Sequence, residues 1–209
     1  MAESNTKICN QALARIGSLR INNYEDTDES SAQAIQARLH FEPTRDALLK
    51  SFYWPFAGAR AELSEDTNEP DFEWENQFIL PTDFLYLRSI YDGSPAFNST
   101  QSHAIEGKRF LTNDSAAKIR YTKKVTDASQ FDPLFVQVLV LQLALKFAAG
   151  LAKTDPKLRA DIKEDLKILM PSVRAVSRQE ANLKGREDQH TWNDARYRLT
   201  SRIDSQMGS

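Results

Sequence analysis

One cysteine in 209 residues leaves no partner for an intramolecular disulfide and excludes a zinc site built on four cysteines. That residue, Cys9, lies among the apolar positions of the first helical stretch, a placement that favours a buried inert thiol over a nucleophile. A chain this poor in cysteine suits a reducing compartment and makes no demand on an oxidising one. Histidine is also scarce: His40, His103 and His190 lie far apart with no HExxH-like spacing, so neither a zinc centre nor a histidine general base is expected. The 7 glycines are scattered and form neither GxGxxG nor a Walker loop, which argues against nucleotide binding by a familiar cradle. No cofactor, no metal and no catalytic residues are expected, and the chain does not read as an enzyme.

Charge of one sign is missing too. With 27 Lys+Arg against 29 Asp+Glu the formal charge is -2, so no global field exists to hold a polyanion. There is no self-similar repeat. The start, "MAESNTKICNQALARIG", has no uninterrupted apolar core of the signal-peptide kind, and the fold is expected to begin with it. One segment, Pro133 to Ala152, has the length of a membrane span, but Gln137, Gln142 and Lys146 interrupt it. It reads as the central helix of a helical core, with no membrane involved.

The remaining pattern is mostly helical. A first helix is expected from about Lys7 to Ile16, capped by Ser4 or Asn5 and stopped by Gly17. A second, long helix carries Ala32, Ile35 and Leu39 before Pro43 and Leu48, Leu49 and Phe52 after it, with a kink or a break expected at the proline. From 57 to 125 the period shortens: "FLYLRSIY" and "AKIRYTKKV" alternate, and "HAIEGKRFLT" reads as a hairpin turning at Glu106, Gly107 and Lys108. Asp132 and Pro133 open the apolar third helix. The fourth carries Leu158, Ile162, Leu166, Leu169, Val173 and Val176 as one stripe and bends at Pro171. The fold class expected is therefore mainly α with a small β part: a helical bundle of about four long helices (1–56 and 126–183), an inserted small antiparallel sheet (57–125) and an extended C-terminal tail (184–209).

Three stretches stand out against this frame. The run from Glu62 to Glu75 holds seven carboxylates, with no Lys or Arg between Ala61 and Leu87; its spacing matches no calcium loop, and it reads as a solvated loop or as an acidic contact for a basic partner. In the tail, "HTWNDARYRL" sets Trp192 and Tyr197 among Arg196 and Arg198, residue types that anchor well in protein pockets. Finally, "SFYWPFAGAR" crowds Phe52, Tyr53, Trp54 and Phe56 around Pro55. With only Lys50 and Arg60 nearby, a platform for stacking DNA bases is disfavoured. The cluster reads as the junction between bundle and sheet, with at least Trp54 and Phe52 buried.

The order of the pieces "ICNQALARIG", "AQAIQARLHFEPTRDALLKSFYWPFA", "FILPTDFLYLRSIYD" and "HAIEGKRFLTNDSAAKIRYTKKVTDASQFDPLFVQVLVLQLALKFAAGLA", then a last helix, resembles the head-to-tail adaptors of short-tailed bacteriophages, of the tail tubular protein A type. The likeness covers residues 3–183. It implies a structural virion protein made in the host cytoplasm and placed at the head–tail junction. Such a protein forms a ring of about twelve subunits that joins the portal to the tail nozzle and lets DNA pass without sequence-specific binding. It also implies that the C-terminal segment docks on the portal, which makes Trp192, Arg196, Tyr197 and Arg198 the candidate portal contacts. Two other readings compete: a tail-associated cell-wall hydrolase acting through the carboxylate-rich loop, and a scaffold bundle with no virion role.

Overall fold

A serine hydroxyl starts the first helix. Ser4 accepts the Lys7 amide at 3.2 Å, satisfying one of the donors that a helix start leaves open, and α1 runs Asn5–Arg15 with Ile8, Cys9, Ala12 and Leu13 buried. The computed structural model describes residues 4–91, 102–151 and 155–180. Ser31 caps α2 (Ala32–Ser51) through the Ala34 amide at 3.2 Å. Asp132 accepts from the amides of Leu134 and Phe135 at 2.7 and 3.2 Å to open α3 (Pro133–Gly150). Pro133 loses nothing there, because the first turn offers its missing donor no partner. The last helix, α4, spans Pro156–Glu180. Pro43 and Pro171 both lie inside unbroken helices.

α1, α2 and α4 all pack on α3, and ten of its 18 residues are buried. Its mean hydropathy of 1.6 would by length and composition also allow a membrane span; here three less apolar helices cover it. α2 meets the core through small and mixed side chains, Ala34, Ala37, Phe41, Leu48 and Leu49, rather than through the larger residues that its periodicity favours. Ile35 and Leu39 are 49% and 59% exposed, which corrects the inward face expected for them. Alanine at 34 and 37 lets the backbones approach closely, and that contact sets the rotation of the helix. On α4, Ile162 and Val173 are buried as part of the stripe, whereas Val176 is exposed and Ser177 is buried instead.

Between α2 and α3 the chain forms seven strands: β1 (Gly58–Glu62), β2 (Ser64–Glu65), β3 (Asn76–Ile79), β4 (Phe84–Ile90), β5 (His103–Glu106), β6 (Arg109–Thr112) and β7 (Lys118–Lys123). They assemble into two antiparallel sheets, β1-β7-β4 and β2-β3-β6-β5. Only Leu63 separates β1 from β2, so the chain changes sheets there. The β5–β6 hairpin turns at Gly107, whose φ of 59° suits a residue without a Cβ. Ala59, Ala61, Leu87, Ile90, Ile119 and Tyr121 of the first sheet face Phe78 and Phe110 of the second, with Leu63 and Leu80 closing a core separate from that of the helices.

This overturns the expected bundle of about four long helices with one small sheet. There are four helices among the described residues, but α1 has only 11 residues, and the β region comprises two sheets with a core of their own. The missing strands were hidden for a physical reason. "GARAE", "SE" and "NQFI" are short and offer weak alternation; they are strands because neighbours pair with their backbones and the far sheet covers one face. In β4, register shifts between Phe84 and Tyr86 and between Leu87 and Ser89 break the period as well. Leu85 consequently packs against the helical core, while Phe84 and Leu87 pack in the β core.

Candidate functional site

The aromatic cluster forms where α2 ends. Phe52 is already extended, with φ of -149°, and Pro55 opens a single 3₁₀ turn, Pro55–Ala57. The ring of Trp54 lies edge-on to Phe52 at 5.7 Å and to Phe135 of α3 at 5.0 Å. Its indole Nε1 donates to the Leu48 carbonyl at 3.0 Å, so the buried polar atom has a partner. Phe56 contacts Phe135 at 5.1 Å and Phe131 at 6.0 Å. Trp54 is 1% exposed; Phe52 is half-buried rather than buried as expected. These rings belong to the helical core and do not themselves bridge to the sheets. Tyr53 turns the other way and lies over Gly58, where an added Cβ would come within 2.8 Å of the tyrosine hydroxyl.

The bridge is Arg88, in the middle of β4. Its Nη2 donates to the Phe52 carbonyl at 2.6 Å and, more weakly, to those of Leu49 and Lys50 at 3.3 and 3.4 Å. These are among the acceptors that the end of α2 leaves open, and a cation there also complements the helix dipole. Nε donates to Thr122 Oγ1 of β7 at 2.6 Å. The guanidinium lies 4.6 Å from the Tyr86 ring and 5.7 Å from that of Tyr53. Partial burial draws its pKa down, and the two tyrosines oppose that shift. Sequence reasoning placed Arg88 only as one residue of an alternating strand. The available signal was a lone cation inside "FLYLRSIY", close to a helix end in need of donors.

A second tie uses charge. Arg45 of α2 is almost wholly buried; its Nε meets Asp46 Oδ1 at 2.8 Å, while Asp46 Oδ2 meets Lys124 Nζ at 3.1 Å. Lys124, just past β7, also donates its amide to the Asp83 carbonyl at 2.7 Å. The carboxylate of Asp46 therefore fixes the return of the chain from the sheets against α2.

The acidic run is an ordered cover. Gln77 and Leu111 alternate with the core residues Phe78 and Phe110, so they face the other side of the second sheet, and the loop from Asn68 to Trp74 lies against them. Gln77 Nε2 donates to the Asn68 carbonyl at 2.6 Å, and Arg109 Nε meets Asp66 Oδ2 at 2.6 Å. Glu73 has φ of 72° and the Trp74 amide donates to the Phe72 carbonyl at 2.9 Å, a tight turn that leaves Phe72 79% exposed. Hydrogen bonds from Arg109 and Asn68 hold the Asp66 carboxyl below its ordinary range. A carboxylate lowered in this way stabilises the folded state above its unfolded value, and that contribution is lost as pH falls through the lowered one. Acidification below about pH 4 should therefore loosen the loop. Trp74 emission checks this: the transition is expected in the native chain and absent in Asp66→Asn.

On the opposite side of the β region, Arg60, Glu62, Lys118 and Arg120 alternate with core residues and point outward from the first sheet. Arg60 stands opposite Arg120, and Glu62 opposite Lys118 at 3.4 Å. Burial, and then the charge of Arg60, lower the pKa of Arg120. With Tyr91 and Ile119 these residues line a groove of about 470 Å³.

The rest of the predicted inventory is dispersed. Cys9 is buried in the helical core, and desolvation pushes its thiol up to about 12. His103 stacks on Phe110 at 5.5 Å, His40 is half-buried on α2, and among the described residues no three His, Cys, Asp or Glu side chains converge on a metal position. Trp192, Arg196, Tyr197 and Arg198, like His190, lie outside the described residues. No protein-family model and no curated protein matches the chain.

Proposed function

We propose that this chain is a structural virion protein, a head-to-tail adaptor whose copies form a ring joining the portal to the tail nozzle around a passage for DNA. The observation that carries the reading is the order and spacing of the quoted segments over residues 3–183, which resemble that family from the first helix to the last. Two features of the folded chain support it. The helical core and the β core are tied by Arg88 and by Asp46, which suits a stiff subunit under load during ejection. The surface also presents unlike patches, acidic on one side of the β region and basic on the other, as neighbour contacts in a ring require. A formal charge of -2 fits DNA passing without tight binding.

The carboxylate loop does not favour the hydrolase reading. Glu73 and Glu75 are exposed, whereas a glycosidase holds its acid in an apolar pocket with a second carboxylate across the sugar. Zymogram activity that disappears in Glu73→Gln or Glu75→Gln would reverse this conclusion. The adaptor reading is tested by sedimenting the chain with purified cognate portal rings. The full chain is expected to co-sediment. A chain lacking residues 184–209 should stay in the supernatant with unchanged circular dichroism, because Trp192, Arg196, Tyr197 and Arg198 are the proposed portal contacts. Failure of the full chain to bind portal contradicts the reading.

A further inference from the structure

We propose that the acidic loop tipped by Phe72 seats in the Arg60–Lys118 groove of a second copy of this chain, and that this head-to-tail contact is what joins neighbouring subunits. The inference rests on the ring reading and adds the surfaces that would build the ring.

Charge and shape point to this pairing. Glu69, Asp71, Glu73 and Glu75 are exposed around a phenylalanine that is 79% exposed. An exposed ring within such a field is an anchor suited to a pocket that is apolar within and cationic at its rim. The groove has that chemistry: Ile119 and Tyr91 in its lining, with Arg60, Lys118 and Arg120 around them. Arg60 has no carboxylate partner among the described residues, and a second guanidinium faces it across the strands. Like charges placed opposite each other are unfavourable, and an anionic visitor relieves them.

The geometry selects a second copy. The loop covers the outer side of the β2-β3-β6-β5 sheet, and the groove opens on the outer side of β1-β7-β4, with the β core between them. A loop cannot reach the groove of its own chain. A two-fold dimer would set groove on groove or loop on loop, pairing like charges. Complementary patches on opposite faces instead give a heterologous contact, which closes into a ring when the rotation per subunit divides a full turn. Nucleic acid is the weaker occupant, because Glu62 stands within the groove and a phosphate chain offers nothing to the exposed Phe72.

Cysteine pairing tests the contact, because native Cys9 is buried and does not compete. Asp71→Cys and Glu62→Cys, combined in one chain and oxidised mildly, are expected to give a ladder of dimers, trimers and longer species on a non-reducing gel. Mixing the two single variants should stop at dimers, and each alone should stay monomeric. Adding Arg60→Glu or Phe72→Ala to the double variant should remove the ladder without changing circular dichroism, and rising salt should weaken it. No ladder, a ladder indifferent to Arg60→Glu, or dimers from either single variant alone would overturn the proposal. So would a short DNA duplex that blocks cross-linking and is itself retained only when Arg60 is intact. A missing ladder with portal binding preserved removes this contact and leaves the adaptor reading standing; an intact ladder without portal binding does the reverse.

Discussion

Trp54→Ala is expected to destabilise the protein by about 3–5 kcal/mol, the range for truncating a buried large aromatic residue. The indole fills the space between the end of α2 and Phe135 of α3, touching Phe52 and Phe56 as well. Relaxation cannot easily close the resulting cavity, because the backbone on one side is the end of α2 and on the other the centre of α3. Trp54→Phe separates the two contributions. It keeps an apolar ring and loses the Nε1 bond to Leu48, which leaves that carbonyl short of a donor at a further cost of about 1 kcal/mol. Urea denaturation of the three proteins measures both. A change within about 0.5 kcal/mol for the alanine variant would contradict the burial described.

Arg88→Ala is expected to cost about 3 kcal/mol, since it strips a charged donor from the Phe52 carbonyl and from Thr122 together. Its consequence is more specific than the loss of stability. Arg88 connects the last turn of α2 to β4 and β7, so the variant should let the β region open without the helices. Hydrogen exchange resolves this: amides of β7 should speed up in Arg88→Ala while those of α3 keep their protection. Arg88→Lys should behave nearly like alanine, because one ammonium cannot span the carbonyl and the hydroxyl as the planar fork does. Equal acceleration in both elements would show that Arg88 is only one contributor to a single cooperative unit.

The two variants mark what was legible in the sequence. Signals acting within a few residues were readable: Ser4 and Asp132 as caps, Pro133 in a first turn, Gly107 at a hairpin, Pro55 ending a helix at Trp54. Trp54 itself stood out because four aromatic residues in five positions have few uses other than packing. What escaped depends on residues distant in the chain. β1 and β3 are strands because β7 and β6 pair with them. Ile35 and Leu39 face outward because alanines set the approach of α2 to α3. Arg88 matters through carbonyls 36 to 39 positions away, and no local period encodes such a contact. The acidic run was seen as a contact for a basic partner, but the basic groove was not, because its cations come from β1 and β7.

Electron microscopy of the purified chain mixed with its cognate portal tests the central claim most directly. The adaptor reading predicts a symmetric collar on one face of the portal, of about twelve subunits, with density continuous around an open channel. Portal particles that remain bare at saturating protein, while the chain stays folded and monomeric, would contradict it.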